Sequence, residues 1–209
     1  MPDIRQRTSI LDDFNRTENP LSQGGNWTRP GVASYDVKTN GSEAVGSLTG
    51  GQSCHALYLP ITMSGNDCEV WCQRMAGNSP SLAWGLGFYD GTGASANGWL
   101  FRSETDTIGG RFRIYKLTSG SFTSVAEVTP GVSDGGAHLI RRNGNDIEGW
   151  AVDGGAMSDL GLVISHTDSA YSTGMYPVLE ISGSTLHAWD NFGAGGRRMR
   201  SQFIRRPLG

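Results

Sequence analysis

The sequence lacks any long apolar run, and it is poor in lysine, proline and cysteine. No apolar stretch approaches the roughly 18 residues that a membrane-spanning helix needs, so membrane insertion is not predicted. The N-terminal string "MPDIRQRTSILDDF" has no apolar core of the kind found in secretory signals, and we therefore expect no signal peptide. With only 8 prolines against 31 glycines, the glycines are typical of tight turns rather than of disordered segments.

The three cysteines predict no disulfide framework. Cys68 and Cys72 lie four residues apart in "CEVWC". On a strand that spacing separates them by roughly 13 Å, which is too far for a disulfide. A cross-strand disulfide from Cys54 to one of them, or a zinc site with His55, stays open, but buried free thiols are the favoured interpretation.

The charge is unevenly distributed along the chain. The net charge is −3, and of the 17 basic residues only Lys38 and Lys116 are lysines. The last fourteen residues, "GRRMRSQFIRRPLG", hold five arginines and no acid, while the preceding 195 residues hold 12 basic and 20 acidic residues for a net of −8. An acidic body without basic residues interleaved with aromatics does not predict nucleic-acid binding.

Short apolar or alternating runs recur along the whole chain, separated by Gly, Asn, Asp and Ser. This pattern predicts an all-β sandwich or barrel. In "SLAWGLGFYD" Trp84 alternates with other apolar residues, which predicts that its side chain lies in the core. In "NDIEGWAVDG" the same rule places Ile147 and Ala151 on one face and Trp150 on the other. Asn143-Gly144, "FYDGTG" (88–93) and "LTSGSF" (117–122) are hairpin signals.

No internal domain boundary is visible. We expect an N-terminal extension (1–9), one sandwich (10–195) and an arginine-rich tail (196–209). Similar strings, "LDDF" and "WDNF", open and close the sandwich. We expect the first and last strands to pair, with Phe14 and Phe192 in the core and the neighbouring acids pointing outward.

Two longer stretches carry a family resemblance. "ILDDFNRTENPLSQGGNWT" resembles the opening of concanavalin A-like (laminin-G-like) jelly-roll modules, and "EGWAVDGG…DSAYSTGMYPVLEIS…AWDNFGAGG" resembles their close. The resemblance implies a jelly-roll β-sandwich of two antiparallel sheets. It does not imply one function, because this fold carries lectins, glycanases and structural modules alike.

A glycoside hydrolase is the weakest of the functions that the resemblance leaves open. Laminarinase-like members carry three alternating acids on one strand, which suits a retaining pair of carboxylates. Here "SETDTIGG" supplies Glu104 and Asp106 without the third acid, and "NDIEGW" supplies only Asp146 and Glu148. We therefore predict that the chain is not an enzyme.

Binding of glycan is the favoured activity. Its candidate stacking residues are Trp150, Trp189, Tyr171 and Tyr176. Calcium is the usual auxiliary ion of this fold, and a hard cation prefers carboxylate oxygens. If the chain ends meet, the candidate calcium ligands are Asp12, Asp13 and Asp190.

The same strings on a free-standing chain resemble minor tail proteins of tailed bacteriophages. This implies a virion protein made in the host cytoplasm, present in several copies and touching host surface polysaccharide. The tail would dock on other virion proteins through Arg197, Arg198, Arg200, Phe203, Ile204, Arg205 and Arg206. A capsid decoration protein and a carbohydrate-binding module outside a virion are the alternatives.

Overall fold

The computed structural model describes residues 8–47, 53–64, 67–75, 83–104, 110–129, 136–153, 160–182 and 188–196, and their regular secondary structure is all strand. The strands are β1 (Ile10–Asp12), β2 (Thr17–Glu18), β3 (Trp27–Thr28), β4 (Val37–Asn40), β5 (Ala44–Gly46), β6 (Ser53–Tyr58), β7 (Met63–Ser64), β8 (Asp67–Met75), β9 (Ala83–Tyr89), β10 (Gly98–Glu104), β11 (Arg111–Thr118), β12 (Ser121–Val128), β13 (Gly136–Asn143), β14 (Asp146–Asp153), β15 (Gly161–Thr167), β16 (Thr173–Ser182) and β17 (Ala188–Gly196). Within these ranges no helix is long and apolar enough to cross a membrane.

The strands form two antiparallel sheets. The nine-stranded sheet has the order β15-β14-β13-β8-β17-β5-β4-β2, with β1 added beside β17. The eight-stranded sheet has the order β12-β11-β10-β9-β16-β6-β3, with β7 added beside β16. Neighbours in both sheets are mostly distant in sequence, so the fold depends on long-range pairing. The predicted all-β sandwich of two antiparallel sheets is confirmed.

The core lies between the two sheets and follows the alternation of the strands. On β9, Trp84, Leu86 and Phe88 point into the core, as the spacing predicts. On β14, Ile147 and Ala151 are core residues, whereas Trp150 belongs to a separate apolar cluster on the outer face of the nine-stranded sheet. The predicted orientations of these side chains, toward the core or away from it, are confirmed.

The two ends of the sandwich meet. β1 pairs with β17, with Ile10 opposite Gly193 and Asp12 opposite Phe192. Phe14 and Phe192 are fully buried, and both contact the Trp27 ring, at centroid distances of 6.0 and 4.9 Å. The similar strings at the two ends therefore supply paired strands and a shared aromatic cluster.

The hairpins differ in how closely they follow the sequence signals. Ser119 and Gly120 form the two-residue turn between β11 and β12 and both have positive φ, which matches the twist of the flanking strands. The turn between β13 and β14 consists of Gly144 and Asn145, one residue later than predicted, with Gly144 at φ +63°. Residues 90–97 form a longer loop between β9 and β10.

All three cysteines are buried and free, which confirms the favoured interpretation. Cys68, Val70 and Cys72 occupy every second position of β8, and all three side chains point into the core. Burial raises the pKa of the Cys68 thiol to about 12. These thiols serve as core side chains.

Candidate functional site

The outer face of the eight-stranded sheet is concave. Phe122 on β12 and His55 on β6 stand five strand positions apart in that sheet, yet their ring centroids are 5.9 Å apart. In a flat sheet five intervals would separate the two strands by roughly 24 Å. The sheet therefore curves around this face, and we call it the concave face.

A buried ion pair lies at the centre of the concave face. Glu180 on β16 and Arg102 on β10 are both paired with Gly85, which lies between them on β9. A Cβ at Gly85 would collide with the Glu180 carboxylate, so the glycine leaves room for that carboxylate to reach across β9. Arg102 donates from Nε to Glu180 Oε2 at 2.9 Å and from Nη2 to Oε1.

Two further buried groups complete this centre. The His55 Nε2 atom lies 3.5 Å from Glu180 Oε1, and the Tyr89 hydroxyl lies 3.1 Å from His55 Nδ1. Burial lowers the pKa of His55 to about 4, against the opposing attraction of Glu180. Burial would raise the pKa of Glu180, but the Arg102 guanidinium holds it below its usual value. The centre therefore contains an ionised Glu180, its arginine and a neutral histidine at neutral pH.

Alternating charges continue from this centre to the rim. Arg113 Nη1 donates to Glu104 Oε2 at 2.8 Å, and Arg113 Nε donates to Glu127 Oε2 at 2.6 Å. Arg102 Nη1 also reaches Glu104 Oε1 at 3.4 Å. We call the complete row the charge ladder; its members, in order, are Glu180, Arg102, Glu104, Arg113, Glu127 and Arg111.

Partly exposed aromatic rings flank the charge ladder. The Arg102 guanidinium lies 4.7 Å from the Tyr115 ring centroid and 6.0 Å from that of Phe122. Tyr176 packs beside Tyr89 and Leu57 on the same face. Planar hydrogen-bonding groups next to aromatic surface are the features by which proteins hold small polar ligands, so this face can accept hydroxyl-rich molecules.

Sequence comparisons find no relative for this chain: no protein-family model matches it, and no curated protein does. Solved structures do match. The carbohydrate-binding module CBM66 from Bacillus subtilis aligns over 85% of this chain and 98% of its own, with a TM-score of 0.56 and 16% identity. The exoplasmic/lumenal domain of VIP36, in a Ca2+/Man-bound form, aligns over 96% and 93%, with a TM-score of 0.61 and 12% identity.

The chain has the concanavalin A-like jelly-roll fold. Both of these neighbours are sandwiches of that type, and the alignments cover nearly the whole of each chain. A xylan β-1,4-xylosidase from Bacillus halodurans C-125 also aligns, with a TM-score of 0.60 and 12% identity, but only over 38% of its own length. The jelly roll is thus shared with two binding domains and with part of one enzyme.

Two of the four predicted stacking residues are unavailable on this jelly roll. Trp189 is 0% exposed and donates its indole N–H to the Glu180 carbonyl at 2.9 Å. Trp150 is 8% exposed, lies under the Arg141 guanidinium and donates to Glu148. Neither tryptophan can stack on a ligand as predicted, because neighbouring side chains of the nine-stranded sheet and the core enclose them.

The two tyrosines have different positions. Tyr176 lies on the concave face. Tyr171 lies in the loop between β15 and β16, where its ring faces Trp99 and its hydroxyl is 3.2 Å from the Thr118 hydroxyl. Arg142 orders this loop by donating to the carbonyls of Asp168, Ala170 and Tyr171. The structure therefore brings only one of the four predicted residues to the concave face.

Of the three predicted calcium ligands, Asp12 is already engaged within the protein. Asp12 is buried, which contradicts the expected outward orientation. Its carboxylate accepts hydrogen bonds from Arg16 Nη1 and Nη2 at 2.6 and 2.8 Å and from the Trp27 indole N–H at 2.7 Å. Asp13 and Asp190 remain, and their two carboxylates can supply at most four of the 6–8 oxygens that calcium takes, with carbonyls or waters needed for the rest. Within the described residues no group of three or more His, Cys, Asp or Glu side chains can hold a metal.

The acids considered for catalysis are separated by the fold. Glu104 belongs to the charge ladder, and Asp106 falls outside the described residues. Asp146 and Glu148 are on the nine-stranded sheet, where Asp146 accepts from the Thr167 hydroxyl at 2.7 Å. The seven predicted docking residues of the tail, 197–206, also fall outside the described residues.

The sequence did not predict most residues of the concave face, although one alternating pattern indicated part of it. In "RFRIYKLT", Arg111, Arg113 and Tyr115 alternate with Phe112 and Ile114. This alternation indicates a strand with one polar, hydrogen-bonding face. It does not tell which other strands contribute to that face.

Proposed function

We propose that this jelly roll binds carbohydrate on its concave face and does not catalyse a reaction there. One observation carries the proposal: a partly exposed row of carboxylates and guanidiniums is flanked by Tyr115, Phe122 and Tyr176 on the inside of a curved sheet. Sugar hydroxyls both donate and accept hydrogen bonds, and their C–H faces pack on aromatic rings. The concave face offers partners for each of these.

The fold neighbours support this proposal. The module from Bacillus subtilis is named as carbohydrate-binding, and the VIP36 domain was solved in a form with mannose. The calcium in that VIP36 form has no counterpart among the predicted ligands here, since Asp12 is already paired with Arg16. We therefore infer that the proposed binding does not use Asp12 as a calcium ligand.

The electrostatics argue for binding without hydrolysis. A glycosidase needs one carboxyl group that stays protonated to act as a general acid. Glu180 is fully buried, and Arg102 holds its pKa below the usual value. Glu104 is engaged by Arg113, Arg102 and the Tyr115 hydroxyl. Glu127 is likewise paired with Arg113 and Arg111, so all three carboxylates of the charge ladder are held by cations.

Affinity electrophoresis in gels containing cell-wall or capsular polysaccharides tests the binding. The wild type should be retarded by at least one polymer, and Tyr115→Ala and Tyr176→Ala should weaken the retardation. Leu162→Ala, at a 50% exposed position on the opposite sheet, is the matched control and should behave like the wild type. A wild type that no polymer retards, or equal retardation of all variants, would overturn the proposal. Release of reducing sugar by the wild type would favour the glycoside hydrolase.

We also propose that the module is a virion surface component, a minor tail protein present in several copies. The supporting geometry is that Thr8 and Gly196 both lie on the nine-stranded sheet, opposite the concave face. Thr8 donates its backbone N–H to Glu69, and its hydroxyl accepts the Trp71 indole N–H, while Gly196 is paired with Cys68. Segments that continue from these points can attach the module from behind and leave the concave face directed outward.

Gold-labelled electron microscopy of intact particles, with an antibody to the sandwich, tests this second proposal. Label at the tail supports it, whereas label only on the capsid favours a decoration protein. Unlabelled particles with free protein in the medium favour a carbohydrate-binding module outside a virion. Normal incorporation of a chain truncated to 1–195 would overturn docking through the tail.

A further inference from the structure

Two arginines on the concave face stand directly opposite each other. Arg102 on β10 and Arg113 on β11 are cross-strand partners. Like charges in directly opposed positions destabilise a sheet unless something lies between them. Glu104 fills that role, because its Oε1 is 3.4 Å from Arg102 Nη1 and its Oε2 is 2.8 Å from Arg113 Nη1.

The surroundings of the Glu104 carboxylate match those of a bound anion. Besides the two guanidiniums, the Tyr115 hydroxyl donates to Glu104 Oε1 at 2.8 Å. Guanidinium forks and phenol donors are the groups with which proteins hold the carboxylate or sulfate of a ligand. Here a side chain of the protein itself occupies that position. The remaining ladder members are also paired, so the three acids and three arginines leave no surplus charge.

We propose that the concave face takes a neutral glycan and that Glu104 is the residue that excludes acidic ones. This inference rests on the proposed carbohydrate binding. A neutral sugar bonds to the ladder through hydroxyls without disturbing its charge balance. An acidic sugar must either displace Glu104 from two guanidiniums or place its own anion beside that carboxylate. Both alternatives are unfavourable in a partly buried site.

The test compares the wild type with Glu104→Gln on neutral polysaccharides and on the carboxymethylated form of each polymer. The backbone is then constant; because carboxymethyl groups also replace sugar hydroxyls and add bulk, the hydroxyethylated form of the same polymer is the neutral comparison. The wild type should bind a neutral polymer and lose retention when that polymer is carboxymethylated. Glu104→Gln should gain about tenfold in affinity for the carboxymethylated form, as expected for hydrogen bonds to charged groups. Salt at 1 M should abolish the gain.

Glu148→Gln is the matched control. It makes the same change in net charge on the outer face of the nine-stranded sheet, where Glu148 accepts from Trp150. It should show no gain for the carboxymethylated polymer, and an equal gain would overturn the role of Glu104. A wild type that prefers the carboxymethylated form would overturn the neutral-glycan inference while leaving carbohydrate binding intact. Absence of binding to every polymer would overturn both. If Glu104→Gln failed to fold, the wild-type preference would still decide the neutral-glycan inference, and Glu104→Asp, which keeps the charge but shortens the reach to the two guanidiniums, would test the role of Glu104 by a gain for the carboxymethylated form.

Discussion

Replacing Arg102 with methionine should destabilise the protein strongly, because it leaves Glu180 buried without a cationic partner. Glu180 is 0% exposed, and its nearest remaining titratable neighbour is His55 at 3.5 Å. In the wild type burial and, to a smaller extent, Arg102 lower the pKa of His55 to about 4; the larger cause, burial, remains in the variant and opposes a charged His55 at pH 7. Removing one partner of a buried ion pair costs about 3–5 kcal/mol.

The expected loss is about 3 kcal/mol, at the lower end of that range, because the Arg102 side chain is itself 16% exposed. For a chain of this size, 1 kcal/mol corresponds to roughly 2–4 °C in Tm, so Tm should fall by about 6–12 °C. Urea unfolding followed by circular dichroism at pH 7 measures the free energy directly. Arg113→Met is the matched control: its glutamate partners are 19% and 41% exposed, whereas Glu180 is fully buried, so solvent can stabilise them and the loss should stay below about 1 kcal/mol.

Two further measurements separate the buried charge from lost packing. Arg102→Met/Glu180→Gln should recover most of the loss, because no charge then remains buried. In Arg102→Met alone, the pKa of Glu180 should rise above its ordinary value. The penalty should therefore shrink as the pH falls through that raised pKa and Glu180 takes up a proton. A free energy of unfolding for Arg102→Met within about 1 kcal/mol of the wild type would refute the reasoning.

Three other predictions follow from buried groups. His55 has a native pKa of about 4 against an ordinary 6.5, so the unfolded state takes up the proton first, and wild-type stability should fall from pH 6.5 to 4. His55→Gln should flatten this decline in urea unfolding, and parallel profiles would contradict it. Gly149→Ala should cost about 1–3 kcal/mol because its Cβ would come within 2.5 Å of the Phe101 ring, whereas Gly161→Ala, with open space around it, should change stability by less than about 0.5 kcal/mol. A chelator should leave Tm unchanged because Asp12 is already ion-paired; a drop in Tm reversed by calcium would show a structural ion.

Local patterns in the sequence were sufficient for the strands and several turns. Alternation placed Trp84 and Ile147 in the core, and Ser119-Gly120 was recognisable as a turn because Gly tolerates positive φ. The pairing of the two chain ends also followed from the similar strings around Phe14 and Phe192. Each of these depends on neighbours along the chain or on one simple rule of topology.

The concave face was not predictable in the same way, because its members come from strands far apart in sequence. Glu180 on β16 meets Arg102 on β10 across a glycine of β9, and nothing near either residue reveals the partner. The same limitation explains the errors at Trp189 and Asp12. A tryptophan or an aspartate in a polar string is exposed or buried according to what packs on it, and here the Glu180 carbonyl and Arg16 do so.

The adjacency of β1 and β17 has a consequence for how this unit combines with other polypeptides. Neighbouring strands are about 4.8 Å apart, so the polypeptide chain enters and leaves the sandwich at nearly the same point. A unit of this kind can be inserted into a surface loop of a larger protein without forcing the two ends of that loop apart. Copies of the sandwich can also be linked in tandem by short connections. A circularly permuted chain can begin and end at the Gly144–Asn145 turn, with the original ends joined. The sandwich can therefore occupy different positions in a longer chain. In each of them the concave face keeps the same position relative to the point where the chain enters and leaves.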